Sequence, residues 1–203
     1  MSREPVIILD CATNQEVEAV LDTDVPLVRL VEVEQHWMPF RLEALRQYAL
    51  SPGTVALPQQ VHWNWAFKLF QFDPAVHQIL EIEMAGEPQG LMWISRQSCT
   101  ARLPPDVGQA LVYVDYVETA PWNAREYTAS PRYKGVGSRL IEAAVMRSVA
   151  EGHEGRLGLH SLPQSEGFYN RGCGMICCGP DPEHQSLVYF EFTAADANVF
   201  LSE

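Results

Sequence analysis

Basic residues are scarce in this sequence. Its 203 positions hold 14 Lys and Arg against 26 Asp and Glu, a formal net charge of −12. A general nucleic-acid binder needs a basic face to displace counterions from phosphates, so the balance argues against that class. It permits a cationic partner such as an amine. Long apolar runs are missing as well, and no segment approaches the roughly 20 residues that cross a bilayer. The opening Met1-Ser-Arg-Glu-Pro is not followed by an apolar signal core with a small-residue cleavage site, so the cytoplasm is the expected compartment. Five cysteines, an odd number, do not make a secreted disulfide framework. Cys173, Cys177 and Cys178 cluster locally, but Cys173-x₃-Cys177 is one half of a zinc pattern with no second half in view. The expectation is buried thiols and no metal.

Two well-known phosphate loops are also absent. The segment Arg132-Tyr133-Lys134-Gly135-Val136-Gly137-Ser138-Arg139-Leu140 lacks the third glycine of G-x-G-x-x-G, and G-x-x-x-x-G-K-[ST] occurs nowhere. What this segment does have is its setting. It follows a strand-like run, Ala110 to Thr119, and opens an amphipathic helix at about Val136. First-turn N–H groups of a helix have no backbone partners and carry partial positive charge. Glycines let an anion approach that backbone, and Arg132 and Lys134 add charge at the rim. The order strand, glycine turn, helix N-terminus therefore suits a pyrophosphate. An ordinary tight turn into a helix is the other reading of two glycines.

Length and composition suit one domain over residues 1–203, with 47% hydrophobic and 20% charged residues. Pro5 to Asp10 and Val25 to Val33 read as strands. His36 to Leu50 is a helix ended by Ser51-Pro52-Gly53, and Pro58 to Phe70 a second helix rich in aromatics. His77 to Met84 and Leu91 to Ser95 flank a longer hairpin loop, Gly86 to Gly90. After the strand Ala110 to Thr119 comes a helix with Leu140, Ile141, Ala144, Val145, Ser148 and Val149 on one face, stopped at Gly152. Gly155 to Leu162 is a strand, Gln164 to Arg171 a short helix, Met175 to Cys178 a short strand, and Ser186 to Thr193 a last strand. This order indicates an α/β or α+β fold.

The stretch from Val112 to Gly174 resembles the GCN5-related N-acetyltransferase (GNAT) family. Arg132-Tyr-Lys-Gly135-Val-Gly137 matches its [QR]-x-x-G-x-[GA] signature, and Val117-Glu118-Thr119-Ala120-Pro121 its strand end, with Thr in place of Val. Phe168-Tyr169 and Gly174-Met175 match its later segment. The resemblance implies a mixed, mostly antiparallel sheet with helices on both faces. It implies an acceptor side over about 1–105 and an acetyl-CoA side over about 106–203. It also implies transfer of an acetyl group from acetyl-CoA to an amine of a small molecule or protein. Main-chain groups of Val117, Glu118 and Thr119, and the turn from Arg132 through Tyr133, Lys134, Gly135, Val136 and Gly137 to Ser138, would hold the co-substrate. Two departures stand out. Leu162 replaces an asparagine common seven residues before the helix tyrosine, and the segment between Tyr169 and Gly174 is one residue longer than usual.

Acyl transfer to an amine needs a base, a stabilised oxyanion and a proton for the leaving thiolate. By the resemblance, Tyr169 is the general acid; a phenol with a pKa of about 10 stays protonated at neutral pH. Glu118, His160 and Asp115 are alternatives for the base. An insertion, residues 121–131, either walls the acceptor mouth with Trp122 and Tyr127 or is a solvated loop. Trp63, Trp65, Phe67 and Phe70 form core packing or a cage for a cationic amine. A non-catalytic acyl-CoA sensor and a transferase of longer acyl chains are the alternatives in function. Pairing of two copies through Ser186 to Glu203 is open.

Overall fold

Helix α1, Val28–Leu50, is built on a stripe of buried residues, Leu30, Val33, Glu34, Trp37 and Arg41, at spacings of three and four. The expected strand over Val25 to Val33 is thus the lead-in and first turns of this helix. The helical spacing of its apolar residues outweighs their β-branching. This is a computed structural model that describes residues 3–50 and 57–202; the expected helix stop at Ser51-Pro52-Gly53 lies outside them.

Nine strands make one sheet in the order β6-β1-β2-β3-β4-β5-β7-β9-β8. They are β1 Arg3–Asp10, β2 Gln15–Asp22, β3 His77–Met84, β4 Glu87–Thr100, β5 Ala110–Thr119, β6 Tyr133–Lys134, β7 Leu157–Ser161, β8 Ile176–Asp181 and β9 Leu187–Phe192. β5 and β7 run parallel, while β1–β2, β1–β6, β2–β3, β7–β9 and β8–β9 are antiparallel. The sheet is mixed and mostly antiparallel, as expected, and helices flank it. Strand β2 and the two-residue β6 had no counterpart in the sequence reading. The hairpin between β3 and β4 is tighter than its glycines suggested. Ala85 (φ 51°) and Gly86 (φ 83°) alone make the turn, a left-handed pair that matches the twist of the strands. Pro88, Gln89 and Gly90 therefore belong to β4.

The remaining helices are α2 Trp65–Lys68, α3 Val136–Ala150 and α4 Ala194–Phe200. α2 continues only into a short 3₁₀ turn, Leu69–Gln71, so the expected helix from Pro58 is much shorter. α3 begins where its pattern predicts. It ends as a Schellman motif, with His153 N–H donating to Ser148 O and Gly152 N–H to Val149 O. Val149 is exposed, unlike the rest of its predicted face. The expected helix over Gln164 to Arg171 is a 3₁₀ turn followed by a wide turn, Phe168–Gly172, which Cys173 N–H closes on Phe168 O at 2.9 Å. No helix among the described residues is long and apolar enough to cross a membrane.

The chain divides into two compact units that interleave along the sequence. One draws on Met1–Asp73, Leu80–Leu91 and Glu118–Gly137, the other on Pro74–Ile79, Met92–Val117 and Ser138–Glu203. In the first, Ile8, Leu21, Leu30, Trp37, Trp65 and Ile82 are buried; in the second, Val112, Leu140, Ile141, Leu159, Phe190 and Phe192 are. β9 carries a buried carboxylate in the second unit. Glu191 accepts from the Arg102 and Leu103 backbone N–H groups and from the Tyr189 hydroxyl.

Gly158 on β7 leaves the space that Tyr189 needs, because a Cβ there would collide with the Tyr189 hydroxyl. Gly158→Ala is expected to push Tyr189 off Glu191 and destabilise the protein by roughly 1–3 kcal/mol. Urea unfolding beside the wild type measures this, and an unchanged midpoint would mean the ring yields without cost.

Candidate functional site

The glycine turn is braced from beneath. Gln89 on β4 is fully buried, and its side-chain oxygen accepts from Trp122 Nε1 at 2.9 Å and Asn123 Nδ2 at 3.0 Å. The Gln89 carbonyl accepts from Ala120 N–H at 2.8 Å. Asn123 in turn accepts from the Tyr133 N–H at 3.0 Å, and Trp122 O from the Arg132 N–H. Leu9 and Asp10 of β1 pair with Lys134 and Tyr133. The turn is thereby fixed as part of the sheet edge, and the start of the insertion is not a solvated loop: Pro121, Trp122 and Ala124 are buried.

Gly135 has φ +89°, and the direction of its missing Cβ is open space. The first turn of α3 follows at once with Val136, Gly137 and Ser138. Lys134 and Arg132 are exposed on either side of Tyr133. Arg132 is drawn across the Trp122 ring, 5.2 Å from its centroid, with Glu87 at 3.7 Å. A cavity of about 760 Å³ borders the turn, lined by Asp10, Cys11, Arg125, Arg132 and Lys134 among others. Free helix N–H groups, an open glycine and two cations fit a diphosphate. Val117 and Thr119 are half-buried on β5. The β5–β7 ladder runs only from Val112↔Leu157 to Val114↔Leu159, so residues 115–119 lie beyond it.

Glu118 is 4% exposed and belongs to a buried charge network. Its Oε2 accepts from Arg41 Nη2 and from Trp65 Nε1, both at 2.8 Å. Arg41 Nη1 also donates to both Glu34 oxygens, at 2.7 and 2.8 Å, and to Trp63 O at 3.0 Å. Trp65 N–H donates to Glu34 Oε2. Burial lifts the Glu118 carboxyl to about 7 against the pull of Arg41 and Trp65. Three buried polar atoms here have no hydrogen-bond partner among the described residues: Glu118 Oε1, Arg41 Nε and the Tyr127 hydroxyl. Tyr127 also lines a cavity of about 540 Å³ with Phe40, Leu57, Trp122 and Glu126.

Tyr169 is buried in the wide turn and packs on Phe190 of β9, with ring centroids 5.8 Å apart. Burial raises its pKa. His160 is placed otherwise. It pairs with Tyr189, the residue before Phe190 on β9, and touches that ring at 4.9 Å. Successive residues of a strand face opposite sides, so His160 and Tyr169 occupy opposite faces of this part of the sheet. Both imidazole nitrogens are engaged, Nδ1 with the Tyr113 hydroxyl at 2.6 Å and Nε2 with Asp181 Oδ2 at 2.9 Å. Burial lowers the His160 pKa. Asp115 accepts from Ser95 at 2.7 Å.

Several expectations need correction. The aromatic stripe is split: Trp65 is core, whereas Phe67 and Phe70 are 71% and 88% exposed. The seat for a cation over Trp63 is taken by the chain's own Lys68, at 4.7 Å. Cys177 and Cys178 are exposed, because β8 is an edge strand with a register shift between Cys177 and Gly179. Only Cys173 of the cluster is buried, and burial pushes its thiol up to about 12. Glu34, Arg41 and Gln89 escaped the sequence reading. The signal for Glu34 and Arg41 was their position inside the apolar stripe of α1, where a charged residue must find a partner.

No protein-family model matches the sequence, and no curated protein matches it. Solved structures do. One is a protein from Desulfovibrio desulfuricans described as an acetyltransferase of the GNAT family, with 11% identity over 87% of this chain and 99% of its own and a TM-score of 0.51. The second is an aminoglycoside 6'-acetyltransferase type Ii, with 11% identity over 86% and 96% and a TM-score of 0.53. The third is an N-acyl amino acid synthase from uncultured soil microbes, with 10% identity over 89% and 94% and a TM-score of 0.55. At these identities the likeness is one of fold. The chain has the fold of the GCN5-related N-acetyltransferases.

The Glu118 environment sets a sign for stability against pH. The unfolded chain releases this proton near 4.5 and the folded chain near 7, so the folded state alone keeps it between those values. Glu118's contribution to stability is present below about 4.5 and is lost as pH rises to about 7. Glu118→Gln, neutral throughout, should lack that decline. The difference in urea midpoint between variant and wild type, followed from pH 5 to 7.5, tests this. A wild type that gains on the variant as pH rises would show a carboxylate already ionised at pH 5.

Proposed function

We propose that this chain, an acyl-CoA N-acyltransferase by fold, moves an acetyl group from acetyl-CoA to a primary amine of a small molecule or protein. The observation that carries the reading is the braced glycine turn at the N-terminus of α3. Its N–H groups at Val136, Gly137 and Ser138, flanked by Arg132 and Lys134, suit the diphosphate of a CoA thioester.

Transfer is direct. The amine nitrogen attacks the thioester carbonyl carbon, the C–S bond breaks, and an amide forms. Glu118 is the candidate to take the amine proton. Its pKa near 7 matches that task, and Oε1 is left without a partner. Tyr169, held protonated by burial, is the candidate to protonate the departing thiolate. His160 has neither nitrogen free, which favours Glu118 over it as base. A cysteine acyl-enzyme is disfavoured, since no cysteine falls on β5 and Cys173 is held as the thiol. The depth of Glu118 favours one other reading, an acyl-CoA sensor without turnover.

Calorimetric titration with acetyl-CoA tests the turn. Micromolar binding is expected, and Gly137→Asp should abolish it by placing a carboxylate against the diphosphate. No binding by the wild type at near-millimolar acetyl-CoA would leave the segment as a turn only. With an amine acceptor in hand, Tyr169→Phe should lower kcat about 10²-fold while leaving acetyl-CoA affinity in place. Turnover unaffected by Tyr169→Phe removes this residue as the acid, and absence of turnover with every amine tried favours the sensor.

A further inference from the structure

We propose that His160, Asp181 and His184 form a surface site for a divalent late first-row transition metal, with Zn²⁺ the ion their donor set fits best. His160 lies on β7, Asp181 ends β8, and His184 ends the short turn Pro182–His184 that follows. The three donor atoms converge. Asp181 Oδ2 is 2.9 Å from His160 Nε2 and 3.2 Å from His184 Nδ1, and the two imidazole rings stack at 3.9 Å, 10° from parallel.

A tetrahedral ion with bonds of about 2.0–2.1 Å holds its donors roughly 3.3 Å apart. The two Asp181–imidazole distances are within a few tenths of an ångström of that spacing, and the two imidazole nitrogens lie within 4.8 Å of each other. An imidazole lone pair lies in its ring plane, so the half-exposed His184 ring turns out of the stack to share an ion with His160. Two imidazoles and one carboxylate are the ligand count of an open zinc site, with the fourth position left for water. The outer shell is suited too. Metal at His160 Nε2 requires the tautomer protonated at Nδ1, and the Tyr113 oxygen lies 2.6 Å from that nitrogen to accept a hydrogen bond from it. Asp181 is held from its other side, where Oδ1 accepts from Glu183 N–H at 3.0 Å. The His184 side chain is 46% exposed, so an ion can enter from solvent.

Arg102 is the competitor. Its Nη1 donates to the same Asp181 Oδ2 at 2.7 Å, and its guanidinium lies 4.1 Å over the Tyr189 ring. The Arg102 side chain is 48% exposed and can yield to an entering cation. The site gives His160 a role outside acyl transfer and does not depend on that reading.

The test is calorimetric titration of the full chain with Zn²⁺ alone, with Cys177→Ser and Cys178→Ser in every protein compared so that exposed thiols do not contribute. One saturable site is expected. It should weaken at least tenfold in His184→Ala and tighten in Arg102→Ala, which leaves all three donors but removes the rival cation. In the wild type, imidazole nitrogen resonances of His160 and His184 should shift together on adding Zn²⁺. Equal Zn²⁺ affinity with and without His184, no saturable binding, or a shift of neither imidazole would overturn the proposal.

Discussion

Arg41 is the interaction on which one compact unit turns. It is a buried guanidinium with a carboxylate on each side, Glu34 from its own helix and Glu118 from the end of β5. Its third contact, the Trp63 carbonyl, ties in the segment that leads to α2. Removing one partner of such a buried set costs about 3–5 kcal/mol, because the charges left behind stay out of water. The arrangement thus fixes where α1, Trp65 and the end of β5 lie relative to one another. It also leaves one more negative charge than positive within the Glu34–Arg41–Glu118 set when both carboxylates are ionised. Burial is the main physical reason Glu118 holds its proton to about 7, and the Glu34 charge adds to it.

The insertion of residues 121–131 acts on both features. Its first residues lock onto Gln89 and hold the glycine turn at the sheet edge. Further along, Tyr127 reaches the Arg41–Glu118 network with a hydroxyl that is buried and unpartnered. A segment that a sequence presents as an interruption between strand and turn is therefore a brace for the glycine turn and part of the lining of the cavity beside Tyr127.

What could be read from the residues follows the range of the forces involved. α3 was legible because its apolar period, its glycine stop and the turn before it are local. β5 and β9 were legible for the same reason. α1 was misread over Val25 to Val33 because a short apolar run satisfies a strand or a helix equally until tertiary burial decides. The hairpin at Ala85-Gly86 was misjudged because a non-glycine residue occupies a left-handed position, which composition does not announce. The Gln89 brace and the pairing of Arg41 with Glu118 were invisible for a different reason. Their partners lie 33, 34 and 77 residues away, and nothing local signals a hydrogen bond at that separation.

Two buried glutamates show why environment, and not residue type, separates structure from chemistry. Glu191 has both oxygens occupied, by two backbone N–H groups and a tyrosine hydroxyl. A carboxylate so supplied has no lone pair to offer a substrate and little reason to move; its work is to hold Arg102, Leu103 and Tyr189 in place. Glu118 is equally buried but has all its donors on Oε2, with Oε1 unpartnered beside an unpartnered Arg41 Nε and Tyr127 hydroxyl. Leaving a buried polar atom unpaired costs about 1–3 kcal/mol. The same accounting that marks Glu191 as a strut therefore shows Glu118 with one oxygen supplied and the other not, which is why the proposed role of base falls to it and not to Glu191.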